Sequence, residues 1–120
     1  MQKLTLTITD YTDLTNAKLV FFDGDFDGYS EETISGLQNE VDKATPESRL
    51  IFDFSNLNYL NSFAIGQLVA WRNIMDTKHG KIVIVGINKN IQDIFSVLGI
   101  ESVFKIYSNL DELKVDEAQT

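Results

Sequence analysis

The sequence predicts a single α/β domain with a mostly parallel central sheet of about five strands and about four helices. Two observations predict it. From residue 30 onward, short apolar runs rich in Ile, Val and Phe alternate with stretches whose apolar residues recur at helical spacing. The run Leu50-Ile51-Phe52-Asp53-Phe54 is mostly apolar rather than alternating, as a strand buried on both faces is. With 120 residues, 43% of them apolar, the chain is long enough for one core.

The elements follow in order. Gln2 to Thr9 alternates Leu4, Leu6 and Ile8 with Thr5, Thr7 and Thr9, the pattern of a half-buried strand. Ala17 to Phe22 is a second strand, placed to form a hairpin with the first. Ser30 stands before a helix carrying Ile34, Leu37, Val41 and Ala44, with Tyr29 and Ile34 placed as a hydrophobic staple. Lys43 to Ser48, with the single Pro46, is a loop. After the Leu50–Phe54 strand a helix is expected from about Phe63 to Lys78, stopped by His79-Gly80. Lys81 to Val85 is a strand. Asn88 caps a helix with Ile91, Ile94, Phe95 and Leu98 on one face and Gly99 as its stop. Val103 to Tyr107 is the last strand, and Ser108 or Asn109 opens a final short helix. The order is β-β-α-β-α-β-α-β-α. The domain is expected over residues 1–114, with 115–120 a polar tail.

Charge and composition narrow the function. Eighteen acids against ten bases give a formal net charge of −8, which repels a phosphate backbone and argues against nucleic-acid binding. There is no cysteine, so there is no disulfide and no thiolate nucleophile or metal ligand. No apolar run approaches membrane-spanning length, and the start of the chain lacks the apolar block of a signal peptide. A cytoplasmic location is the expectation, with no membrane insertion.

Asn61-Ser62-Phe63-Ala64-Ile65-Gly66 is the segment with functional content. It joins a hydrophobic strand to a long apolar helix. A hydroxyl at such a helix start lies in the field of unpaired N–H groups, which favours negative charge, phosphate included. The plain alternative is that Ser62 only caps the helix. In that helix Ala64, Leu68, Trp71 and Met75 form one stripe, widened by Ile65, Val69 and Ile74 beyond an ordinary core-facing arc. Either a partner or neighbouring elements must cover the surplus.

With these elements in place, the chain resembles the STAS family of bacterial anti-sigma factor antagonists. Gly24-Asp25-Phe26-Asp27 is similar to the family's Gly-Glu-Leu-Asp. Leu50 to Phe54, followed by Ser55-Asn56-Leu57, is similar to its central strand and turn. Asn61 to Gly66 stands where the family has Asp-Ser-Ser/Thr-Gly-Leu-Gly. Lys81 to Gly86 matches the next strand, and Leu98-Gly99-Ile100 with Phe104 resembles the closing motif. The resemblance implies partner switching. The unmodified protein binds an anti-sigma factor that is also a serine kinase. Phosphorylation of the signature serine, here Ser62, breaks the complex, and a phosphatase restores it. The kinase brings the ATP, so no cofactor is implied. Partner contacts are expected at Asp25, Asp27, Asn61, Ser62, Phe63, Ala64 and Ile65. Asn61, Phe63 and Ala64 depart from the family pattern: Asn61 keeps a capping oxygen but no charge, and Phe63 is large and apolar. A phosphorylation-independent scaffold and a small ligand- or nucleotide-binding domain are the alternative readings.

Other motifs yield less. Asp23-Gly24-Asp25-Phe26-Asp27-Gly28 opens like a calcium loop, but its twelfth position is Ile34 rather than an acid. A solvated acidic turn near Ser62 is expected instead. His79, the only histidine, reads as a turn residue, and the glycines show no nucleotide-binding spacing. No metal site or catalytic group is predicted.

Overall fold

A computed structural model describes residues 3–28 and 30–118. The strands are β1 (Thr5–Asp10), β2 (Ala17–Phe26), β3 (Arg49–Leu60), β4 (Lys81–Val85) and β5 (Lys105–Tyr107). The helices are α1 (Glu31–Lys43), α2 (Ser62–Thr77), α3 (Lys89–Leu98) and α4 (Leu110–Ala118). The sheet runs β1-β2-β3-β4-β5 in space; β1 is antiparallel to β2 and the other neighbours are parallel. The predicted class and element order hold.

Helices α1, α2 and α3 cover one face, burying Leu37, Val41, Leu68, Trp71, Ile91 and Phe95 against Val20, Phe22, Phe52, Phe54 and Ile84. On that face Phe22 meets Phe52 and Phe54 with ring centroids 5.1 and 4.9 Å apart, a geometry that adds to area burial. The surplus apolar width of α2 is covered internally: Val69 and Ile74 pack on this core. The opposite face holds a smaller core of Ala17, Ile51, Val83, Val85 and Tyr107 under Leu113 of α4.

Several boundaries differ from expectation. β2 continues to Phe26, so Asp23 and Asp25 lie in a strand and not in a turn. The reason is strict alternation: Phe22, Gly24 and Phe26 are buried, and the aspartates between them face the other way. β3 continues to Leu60. Its upper half holds two bulges relative to β2, so its buried residues Phe54, Leu57 and Leu60 recur every third position. β5 is confined to three residues. Ser30 occupies the N-cap of α1 without a side-chain capping bond; Glu31 and Glu32 complement the helix dipole there. The Tyr29 staple lies outside the described residues.

Residues 115–118 continue α4. Polar contacts join Leu113 in holding this helix. Glu117, its side chain 5% exposed, pairs with Arg49 at 3.0 Å and Lys81 at 3.5 Å. Tyr107 donates its hydroxyl to Asp116, and burial together with that carboxylate pushes the phenol pKa up. At the far end of α2, Lys78 caps a different helix: its Nζ donates to the carbonyls of Val41 and Asp42 at 2.8 Å and of Ala44 at 3.2 Å. The left-handed residue after α2 is His79, not Gly80.

Replacing Lys78 by Met leaves the last carbonyls of α1 without their cation. We expect a loss of about 1–2 kcal/mol, measured by urea unfolding, with the fold retained. Acid should loosen α4. Burial alone raises the Glu117 carboxyl, but hydrogen bonds and charge from Arg49 and Lys81 outweigh it and hold the group below its ordinary value. A depressed folded-state pKa contributes stability above the unfolded value, ~4.3, that is lost as pH falls through the folded one. Amide exchange should therefore accelerate in α4 before the central strands as pH drops through that window. Equal protection throughout would contradict this, and Glu117→Gln should flatten the dependence.

Candidate functional site

The site forms at the C-terminal ends of the parallel strands. β4 pairs with β3 only as far as Asp53, opposite Val85. Beyond that point β3 keeps β2 on one side and receives side chains from α3 on the other. Asn88 Nδ2 donates to the carbonyl of Leu57 at 2.7 Å, and Asn90 Nδ2 to that of Asn58 at 2.9 Å. Asn88 Oδ1 also accepts the N–H of Ile91, so one carboxamide both caps α3 and closes the edge of β3. The pairing of β2 with β3 then sets Asp25 against Tyr59 and Phe26 against Leu60, and the N–H of Asn61 donates to the Phe26 carbonyl.

Asn61 is the N-cap of α2. Its Oδ1 accepts the N–H of Ala64 at 2.9 Å, and its carbonyl accepts that of Ile65. Ser62 is thus the first helical residue, and its side chain is exposed. Asn61, and not Ser62, fills the cap, which leaves the serine outside it. No acidic residue stands in the first turn of α2 to oppose a negative group there.

Two aromatic residues near the serine in the chain are exposed. Phe63 is 46% exposed and Tyr59 39%. Gly28 supports Phe63 from below. Its φ is +77°, and a Cβ there would lie 2.4 Å from Phe63 Cδ1 and 3.0 Å from the Ala64 nitrogen. Only glycine satisfies both constraints. Further along the helix, Gly66 is exposed, and a Cβ at this position would meet nothing within 4 Å.

The fold brings together Asp25, Asp27, Asn61, Ser62 and Phe63 around the start of α2. It removes two expected contact residues. Ala64 is fully buried and Ile65 is 6% exposed, because both belong to the core stripe of the helix. Their side chains pack under the sheet-facing side and offer a partner nothing. Sequence reasoning does not place Tyr59 or Asn90 at the site, and it gives Asn88 only as the cap of α3, without its bond to β3. The bulge at Asn58 is what turns Tyr59 outward, and no local pattern announces it. Among the described residues no cluster of three or more His, Cys, Asp or Glu could hold a metal, and no helix is long and apolar enough to cross a membrane.

A family model described as STAS domain matches residues 9–113. The chain belongs to the STAS domain family. No curated protein matches it by sequence. Solved structures share its fold at low identity. An anti-sigma factor antagonist from Mycobacterium paratuberculosis is 18% identical, with 98% of this chain and 96% of that one covered and a TM-score of 0.79. A STAS domain protein from Planctomyces limnophilus is 13% identical, covering 94% and 97%, at 0.71. The Bacillus cell fate determinant SpoIIAA in its phosphorylated form is 12% identical, covering 95% and 99%, at 0.68.

Gly28→Ala should destabilise the domain by about 1–3 kcal/mol and displace Phe63, read by chemical denaturation and by the Phe63 ring resonances. Gly66→Ala should do the reverse. With open space around the new methyl, it should gain about 1 kcal/mol of helix stability. A loss of stability there would mean that the glycine serves the fold.

Proposed function

We propose that this chain is an anti-sigma factor antagonist that works by regulated protein–protein binding, with Ser62 as its phosphoacceptor. One observation carries the reading: the Ser62 hydroxyl is exposed at the first position of α2 while Asn61 does the capping. A modifying enzyme reaches it without unwinding the helix. The added phosphate brings about −1.5 to −2 charges and lies at the positive end of the helix dipole, so the fold tolerates it. A partner fitted to a neutral hydroxyl does not. Burying that charge unpaired costs several kcal/mol, on the order of a hundredfold or more in affinity. The family membership and the likeness to a protein solved in phosphorylated form support the reading.

The partners are then an anti-sigma factor that is also a serine kinase and a phosphatase that resets the switch, all in the cytoplasm. The kinase supplies ATP, and the chain itself acts as a binding module without cofactor. Asp25 and Asp27 beside the helix start favour a basic contact on the partner. Phe63 and Tyr59 supply apolar anchors, and Gly66 leaves room for a partner backbone to come close.

The exposed aromatic pair also favours a second reading, a scaffold that binds independently of phosphate. One experiment separates the two. Capture from native cytosol is compared for wild type, Ser62→Ala and Ser62→Asp. A kinase-like anti-sigma factor held by wild type and Ser62→Ala but released by Ser62→Asp, with phosphate incorporated only into wild type, supports the switch. Equal capture of one partner by all three supports the scaffold. Asp25→Lys with Asp27→Lys should weaken capture at least tenfold in affinity, about 1.4 kcal/mol, with the circular-dichroism spectrum of the folded domain retained.

A further inference from the structure

A cavity lies at the end of the sheet away from Ser62. It is bordered by the N-terminal ends of β2 and β3, the end of β1 and the last turn of α1, and has a volume of ≈ 330 Å³. Its wall includes Ala17, Lys18, Glu40, Ser48, Arg49 and Leu50.

Two of these residues hold polar atoms that the fold leaves unmatched. Among the described residues, Ser48 Oγ and Arg49 Nε are buried without a hydrogen-bond partner. Ser48 as a whole is 8% exposed. The rest of the Arg49 guanidinium is engaged: Nη1 donates to the Thr15 carbonyl at 2.8 Å and Nη2 to Glu117 at 3.0 Å. Buried polar groups without partners lower stability and are few in native folds, so two neighbours in one cavity wall call for a ligand that pairs them.

Charge gives that ligand a sign. Glu40, 7% exposed, lies between Lys18 at 3.2 Å and Lys43 at 3.1 Å. Two ammonium groups thus meet one carboxylate, a local excess of one positive charge in a chain of net charge −8. Arg49 adds nothing to this excess, because Glu117 matches it. The unmatched atoms agree with an anion: Arg49 Nε–H can only donate, and the Ser48 hydroxyl can donate. Asp10 stands exposed on the rim and opposes a second negative charge. Ala17, Ala44 and Leu50 supply an apolar stretch of wall.

We infer that this cavity binds a small organic monocarboxylate. Its carboxylate accepts from Ser48, Arg49 Nε and Lys18, and its hydrocarbon body rests on the apolar wall. The volume is at the low end for ligand sites, which suits a molecule of few carbons better than a nucleotide. Occupation of this end leaves the Ser62 surface free, so the inference stands independently of the phosphorylation reading.

Backbone amide resonances followed during titration with sodium butyrate and with sodium benzoate test this, with sodium chloride at equal ionic strength as the control. At least one of the two carboxylates should give saturable shifts confined to Asn16–Lys18 and Glu40–Leu50, and chloride should give none there. Ser48→Ala should weaken that binding about tenfold, the loss of one hydrogen bond to a charged group. Lys18→Gln should weaken it as well, and both variants should keep the circular-dichroism spectrum of the folded domain. No saturable shift with either carboxylate overturns the inference. So does an equal response to chloride, which would be ionic screening only, or a Ser48→Ala variant that binds as wild type does.

Discussion

The parallel ladder between β2 and β3 is the constraint on which the rest depends. It is the longest pairing in the sheet, and it outlasts the β3–β4 ladder. It carries the end of β3 to the start of α2. Because it persists to Phe26 opposite Leu60, the Phe26 carbonyl receives the N–H of Asn61 and α2 begins at a fixed place. The two bulges on β3 serve the same end. They keep Leu57 and Leu60 in the core and turn Asn58 and Tyr59 outward. Asn88 and Asn90 then close the side of β3 that β4 has left. Strand pairing, bulge and carboxamide together deliver one exposed serine on a rigid support.

Much of this was legible in the sequence where the determinants are local. Asn88 and Gly99 bracket α3 as cap and left-handed stop, and both do so in the structure. The apolar run Lys81–Val85 is β4 without adjustment. What escaped has physical reasons. A bulged strand shows spacing of three, neither helix nor strand, so the upper half of β3 looked like a connection. The end of β2 was masked by its aspartates: Asp-Gly-Asp reads as a turn unless Phe22, Gly24 and Phe26 are taken as one buried row. The last residues of α4 have the composition of a polar tail, because the partner that fixes Glu117, Arg49, lies far away in sequence.

The candidate site was legible in part for the same reason. Ser62 and Asn61 announce themselves through the strand-to-helix junction. Ala64 and Ile65 follow them in the chain but not on the surface, since a helix turns a hundred degrees per residue and its third and fourth positions here face the core. A linear motif therefore overstates the surface it marks. Asn61 standing where the family has aspartate keeps the cap intact, so the change alters charge at the site and leaves its geometry in place.

One buried contact joins the site to a signal that needs no label. Trp71 is the chain's single tryptophan, fully buried, with its indole N–H on Gln38 and its ring stacked on Phe26 at 6.4 Å and 9°. The same Phe26 holds Asn61 through its backbone carbonyl. One residue thus touches both the fluorophore and the hinge of the signature segment. The protein carries a built-in optical gauge: light emitted from its core reports on events at its functional rim.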